Sequence, residues 1–231
     1  MPLQRIPFRD IHPDSPAEAL MDGFLSSEGA CVLSDINPAP IHALYAVLPT
    51  FFASALKSRP FFKRDNAGYT TAKVKGYLRE EFTVDSLQFF LDDEQKECWP
   101  LRDSSRVRVN PLLHRNFPGL DAAFLEVYGT YLHLTDSFGA PQAYLTGFHY
   151  FTGDVAEFPF RVIPHKDDAF VLAFFPIGEP LEAVIAEQEV CEVLRPDEAL
   201  LLAPGVSHFV RNLDSHKERY SVVYAFSQHG I

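Results

Sequence analysis

Eight short apolar or alternating runs follow one another between residues 143 and 227: AYLTGFHYF, FPFRVI, AFVLAFFP, LEAVIAE, EVCEVL, ALLLAP, SHFV and RYSVVYAF. Breaks rich in Gly, Pro and Asp separate them, so each run has both the length and the ends of a strand. Eight such strands in about 85 residues predict two packed antiparallel sheets, a jelly roll.

The chain ahead of these runs reads differently. IPFRDI (6–11) predicts a short opening strand. Ser15, Pro16 and Glu18 then form a helix start, with a capping side chain, a proline at the first helical position and a capping-box glutamate. Ala17, Leu20, Met21, Phe24 and Leu25 recur at helical spacing and Gly29 suits the stop, after which ACVLSDI reads as a strand. A second helix runs from Ile41 through Phe51 and Phe52 and is expected to bend at Pro49. Residues 60–100 show no clear period. A third helix begins near Leu120, carries Leu120, Phe124, Val127, Tyr128, Tyr131 and Phe138 on one face, and ends at Gly139; that aromatic stripe suits packing against a sheet. The expected fold is therefore mainly β. A double-stranded β-helix (jelly-roll, cupin-like) core at 141–231 is buttressed by a helical N-terminal region at 1–140, all in one domain spanning 1–231.

Composition narrows the class. The chain has 231 residues, 47% of them hydrophobic, with 21 Phe and 9 Tyr, enough to bury one sizeable core. Its net charge of -11 argues against a nucleic-acid partner, because phosphate contacts need clustered Lys and Arg. No run is long enough to span a bilayer, and MPLQRIPFRD lacks the apolar stretch of a signal peptide. Cys31, Cys98 and Cys191 are odd in number and scattered, which disfavours a disulfide framework. A cytoplasmic location with no membrane partner is expected. Monomer and homodimer both stay open.

One constellation in the strand-rich half carries chemistry. In HKDD, His165 and Asp167 stand at i and i+2, a spacing that puts both side chains on one face of an extended strand. His208 follows 43 positions on, Arg219 a further 11, and Ser221 two beyond that. Two neutral imidazoles and one carboxylate bind a metal on one side and leave opposite positions open, the ligand set of non-haem Fe(II) oxygenases. Asp168 competes with Asp167, although a neighbouring residue on a strand points the other way. His216 competes with His208, although it falls in the apparent turn LDSHKE.

The order His-x-Asp, then His, then Arg-x-Ser resembles the Fe(II)/2-oxoglutarate-dependent dioxygenases, in particular the group that includes isopenicillin N synthase and the plant oxidases. The strand-helix-strand opening, KGYLREEF (75–82) and CWP (98–100) are similar to landmarks of that group. The resemblance implies Fe(II) held by His165, Asp167 and His208, with 2-oxoglutarate as co-substrate and O2 as oxidant. It implies Arg219 and Ser221 on the far carboxylate of 2-oxoglutarate, where a guanidinium makes charge-assisted, geometrically defined bonds. Tyr150, 15 positions before His165, falls where related enzymes carry a co-substrate tyrosine in Asn-x-Tyr; here Phe148 replaces the Asn. An aspartate between the histidines disfavours a halogenase.

The implied reaction is hydroxylation, desaturation or ring formation on a small-molecule substrate, in specialised-metabolite or amino-acid-derived biosynthesis. An oxidase like isopenicillin N synthase, which needs no 2-oxoglutarate, and a non-catalytic jelly-roll binding module are the alternatives. Phe148, Phe151, Phe158, Phe160, Phe170, Phe174 and Phe175 are candidates to line a dry pocket. The chain ends ten residues after Ser221, so little C-terminal lid and a compact substrate are expected. Arg161 or the cluster from Lys73 to Arg79 would meet a substrate carboxylate.

Overall fold

The computed structural model describes residues 3–11, 24, 29–58, 63–64, 67–74, 77–85, 111–138, 140, 142–151, 159–175, 180–211 and 218–227. In chain order the first elements are β1 (Arg5–Pro7), β2 (Ala30–Ser34), α1 (Ala39–Ala53), β3 (Lys63–Arg64), β4 (Ala67–Val74), β5 (Tyr77–Asp85), α2 (Pro111–Asn116) and α3 (Pro118–Ser137). Eight strands follow: β6 (Gln142–Tyr150), β7 (Phe160–His165), β8 (Phe170–Phe174), β9 (Pro180–Ile185), β10 (Gln188–Val193), β11 (Ala199–Leu202), β12 (His208–Arg211) and β13 (Arg219–Ser227). They coincide with the eight runs.

These eight strands divide four and four. β10-β9-β12-β7 form one sheet, and β11-β8-β13-β6 form the middle of a nine-stranded sheet whose full order is β1-β2-β11-β8-β13-β6-β5-β4-β3. This is the jelly roll the runs predict.

Two features upstream differ from the sequence reading. IPFRDI is a strand only as far as Pro7, which has no N–H to give the ladder, and a 3-10 turn takes over at Phe8–Asp10. Residues 67–85, which show no clear hydrophobic period, form the β4–β5 hairpin, which pairs with β6 and widens the large sheet. The N-terminal region ahead of residue 141 is thus strand as well as helix. The helix expected from Ser15 lies outside the described residues apart from Phe24, which is helical and buried; CWP lies outside them too.

Three layers result. Pro118 opens α3 at its first turn, and Leu120, Phe124, Val127, Tyr128, Tyr131 and Leu134 bury one helical face. In α1, Leu44, Leu48, Phe51 and Phe52 do the same, and the helix continues through Pro49. Both faces join a core with Cys31, Leu33, Leu145, Leu172, Phe174, Leu201, Val222, Tyr224 and Phe226, the outward side of the large sheet. Tyr45 of α1 donates to the Phe174 carbonyl (2.8 Å), and the hydroxyls of Thr135 and Tyr224 are hydrogen-bonded at 2.6 Å, so the helices are tied as well as packed.

The alternate residues face the other way. Ala30, Val32, Val171, Ala173, Leu200 and Leu202 meet Ala183, Ile185, Val190 and Val210 of the small sheet in a second core. Strand period two makes the large sheet apolar on both faces, one for the helices and one for the opposing sheet. Among the described residues, no helix is long and apolar enough to cross a membrane.

Candidate metal centre

At one end of the inter-sheet layer the packing stops short. The inward residues of β8, β9 and β13 include Ala173, Ala183 and Ala225, and these small side chains leave a cavity of about 260 Å³. Val171, Ile185, Leu200, Leu202, Val210 and Val223 give it apolar walls. Its polar groups gather at the rim and along one wall: His165, Asp167, Asp168, His208, Arg79, Arg161, Arg219, Tyr150 and Ser221.

His165 closes β7 and His208 opens β12, and the two are direct partners in the ladder between those strands. Their ring centroids lie 4.3 Å apart. Asp167 sits two residues past the end of β7, in the irregular link just ahead of the bend at 168–169 rather than in the strand itself. The Gly205 N–H donates to the Asp167 carbonyl (2.7 Å), so the turn before β12 clamps the link after β7. Convergence therefore comes from the clamp, not from strand alternation.

The hydrogen bonds of the two imidazoles fix how they present themselves. His165 Nδ1 donates to the Ile163 carbonyl (2.8 Å) and His208 Nδ1 to the Val206 carbonyl (3.0 Å). Each Nε2 is then the ring nitrogen turned toward Asp167, and each lies 3.5 Å from Asp167 Oδ2. A backbone carbonyl on Nδ1 is how metal-binding histidines are held in tautomer and orientation. One donor atom from each residue comes within 4.8 Å of the others.

Electrostatics follow this geometry. The hydrogen bond to Asp167 raises His165, against burial and the charge of Arg79. Burial pushes Asp167 up, but the hydrogen bond and charge of His165, with the charges of His208 and Arg79, bring its carboxyl below the ordinary value. Burial lowers His208. Two Nε2 lone pairs and a carboxylate aimed at one point fit a divalent first-row metal with open positions opposite.

The other predicted residues line the same cavity. Arg219 and Tyr150 are register partners across β13 and β6. The Arg219 guanidinium lies 5.6 Å from the Phe175 ring centroid. Ser221 Oγ and Tyr150 Oη are 3.2 Å apart, both buried. Asp168 is exposed at the rim and is not one of the three converging groups; His216 lies outside the described residues.

The aromatic lining is narrower than expected. Phe148 and Phe175 face the cavity, with Phe209, which the sequence did not single out. Phe170 and Phe174 alternate to the helix side with Leu172. Phe160 packs on Phe209 and Phe151 on His149, and Phe158 lies outside the described residues.

Behind this wall sits a cluster that sequence reasoning missed. Glu80, 2% exposed, accepts from Tyr69 (2.7 Å), from His149 Nδ1 (2.8 Å) and from Lys57 (2.8 Å and 3.1 Å). His149 stacks on Tyr220 at 4.7 Å. Burial pushes the Glu80 carboxyl up, but Lys57, His149 and Tyr69 together bring it below its ordinary range. Glu80 stands within KGYLREEF, which reads only as a landmark with no buried role, and nothing in the sequence links it to Lys57, Tyr69 or His149.

No protein-family model and no curated protein matches the sequence. Solved structures do match in fold. JOX2 in complex with 2OG, Fe and JA aligns over 97% of this chain and 74% of its own, at a TM-score of 0.65 and 14% identity. The dioxygenase for auxin oxidation from rice aligns over 96% and 82%, at 0.68 and 12% identity. A 2OG-Fe(II) oxygenase family protein from Caulobacter crescentus aligns over 97% and 86%, at 0.62 and 19% identity. The fold is that of the 2-oxoglutarate–Fe(II) oxygenases. In this fold the converging side chains of His165, Asp167 and His208 share one cavity with Arg219, Tyr150 and Ser221.

Proposed function

We propose that the chain is a non-haem Fe(II)- and 2-oxoglutarate-dependent oxygenase that oxidises a small organic molecule. The observation that carries this reading is the His165–Asp167–His208 set, with both Nδ1 atoms committed to backbone carbonyls and both Nε2 atoms turned to one carboxylate. These three residues would hold Fe(II). Bound there, the iron supplies the one-electron chemistry that lets dioxygen oxidise 2-oxoglutarate and substrate.

The remaining steps belong to the chain's own residues. Arg219 receives the far carboxylate of 2-oxoglutarate through its guanidinium fork. Ser221, two residues on in β13, donates its hydroxyl to the same carboxylate. Tyr150, within 3.2 Å of Ser221, holds that hydroxyl in place. Phe148, Phe175 and the aliphatic walls keep bulk water from the reacting atoms. A cavity of about 260 Å³ falls just below the usual range of small-molecule sites and suits a compact substrate over a macromolecular one. Hydroxylation, desaturation and ring formation all use this arrangement. A cytoplasmic setting would keep Fe(II) and the free cysteines reduced.

Anaerobic equilibrium dialysis tests the reading. The wild-type protein is expected to retain one equivalent of Fe(II), and Asp167→Ala and His208→Ala to retain far less. Isotope-labelled 2-oxoglutarate is expected to bind only the metal-loaded form. Metal binding that survives both substitutions, or 2-oxoglutarate binding that needs no metal, would overturn the assignment.

A further inference from the structure

The cavity wall carries more cationic groups than the co-substrate uses. Tyr150 stands among three arginines. Its register partners on the large sheet are Arg79 of β5 on one side and Arg219 of β13 on the other. The Arg161 guanidinium lies 5.9 Å from its ring centroid. Strands are spaced about 5 Å apart, so Arg79 and Arg219 rise from backbones roughly 10 Å apart, with the tyrosine between them. A carboxylate seated on Arg219 and Ser221 occupies the β13 side of Tyr150. The β5 side keeps its own cation.

Among the described residues, the acidic lining is Asp167, which faces the two histidines, and Asp168 at the rim. Arg161 is 6% exposed and reaches the Phe151 carbonyl at 3.5 Å, so it belongs to the floor. Arg79 is more open, its side chain 22% exposed. Its guanidinium lies 4.4 Å over the Phe148 ring, and the Glu81 carboxylate, two residues on along the same face, takes one of its nitrogens at 2.9 Å. A guanidinium stacked on a ring spends its face there and presents its edges to hydrogen-bond partners. Phe148 and Glu81 thus fix where the Arg79 fork points, and its charge is felt at both His165 and Asp167.

We infer that the primary substrate is a small organic carboxylate and that Arg79 receives its carboxylate group beside the metal centre. The inference rests on the oxygenase reading, because it takes Arg219 as occupied by 2-oxoglutarate. It assigns Phe148, which stands where the related enzymes carry an Asn, a role of its own as the platform for the substrate-binding guanidinium. Glu81 is then a positioning residue that orients the fork while competing for part of it.

Calorimetry on anaerobic protein loaded with Fe(II) and 2-oxoglutarate tests this. The probes are benzoate, phenylacetate and hexanoate, each against its primary amide. The visible band of the iron–2-oxoglutarate chelate is recorded first on the same sample. At least one acid is expected to bind about tenfold or more tighter than its amide, since a hydrogen-bonded charge contributes about 1.4 kcal/mol or more. Arg79→Gln should abolish that preference and leave the amide affinity as it was. Glu81→Gln should tighten the acid severalfold by releasing the fork. Should Arg79→Gln fail to fold, the Glu81→Gln arm decides alone, and acid affinity that is unchanged or weaker there overturns the assignment. No acid preference anywhere in the set overturns it as well. A missing band on the wild-type sample refutes the oxygenase reading instead, so the two failures are distinguishable.

Discussion

Glu80→Gln should remove about 3 kcal/mol of stability, and the sum follows from what the carboxylate touches. Glu80 is buried and accepts four hydrogen bonds, two of them from the Lys57 ammonium. An amide of the same shape has one acceptor oxygen. Lys57 contacts both carboxylate oxygens, so whichever way the amide turns, its NH2 meets an ammonium donor. If the oxygen stays with Tyr69 and Lys57, one contact to Lys57 is lost, and His149 must change tautomer to accept from the NH2. Breaking a buried charge pair costs about 3–5 kcal/mol. Lys57 is 20% exposed and also donates to the Phe52 carbonyl, so water and that carbonyl recover part of the loss. A loss of about 3 kcal/mol moves the melting temperature of a chain this size by roughly 6–12 °C.

The pH dependence has a definite sign. The ordinary value of the carboxyl is 4.5, and folding brings it lower. The charged form is therefore the one the fold stabilises. Its contribution is complete above pH 4.5 and is lost as pH falls through the depressed folded value. Urea unfolding of wild type and Glu80→Gln should differ by about 3 kcal/mol at about pH 7, and the gap should narrow below pH 4.5. A double-mutant cycle with Lys57→Met should give a coupling of about 1 kcal/mol or more. A loss under about 1 kcal/mol, or a gap that widens in acid, would refute the reasoning. The cluster also bears on the site, because Glu80, His149 and Tyr220 are register partners on the outer face of the strands whose inner face carries Arg79, Tyr150 and Arg219. The substitution should therefore weaken 2-oxoglutarate binding as well as the fold.

Other outcomes follow from single contacts. Arg219→Gln should raise the 2-oxoglutarate Kd by roughly 10- to 100-fold, the worth of a charge-assisted bond, and leave Fe(II) retention in dialysis unchanged. Gly147→Ala brings a Cβ to 2.6 Å from Leu48 Cδ2, so it should destabilise by about 1–3 kcal/mol in urea, with part of the loss restored by Leu48→Val. Gly29 has φ +95, and an added Cβ would stand 2.4 Å from Val206 Cγ2; Gly29→Ala should cost about 2 kcal/mol or more. Because the Val206 carbonyl orients His208, the same variant should hold Fe(II) more weakly, as read by dialysis.

The jelly roll was legible because its strands face apolar surroundings on one or both sides, and their breaks fall at real turns. Runs such as ALLLAP need no alternation, since β11 lies between a helix layer and an opposing sheet. The β4–β5 hairpin escaped notice because its strand pattern is written in charges. In REEF, Arg79 lines the cavity, Glu80 is buried beneath α1 and its following turn, and Glu81 pairs with Arg79. Hydrophobic periodicity has nothing to register there. The convergence of His165, Asp167 and His208 was legible through their order and spacing, although Asp167 reaches the other two through a clamped link rather than through strand geometry. Tyr150 had only a partial motif behind it, and its place emerges from register with Arg219, which a single sequence does not encode locally.

The metal centre and its co-substrate are tested most directly by an anaerobic titration of the protein with Fe(II) and then with 2-oxoglutarate, followed by visible absorption. A weak charge-transfer band is expected that needs both additions and is absent in Asp167→Ala. Iron uptake with no band would contradict the co-substrate assignment, and no iron uptake at all would contradict the metal centre on which everything else is built.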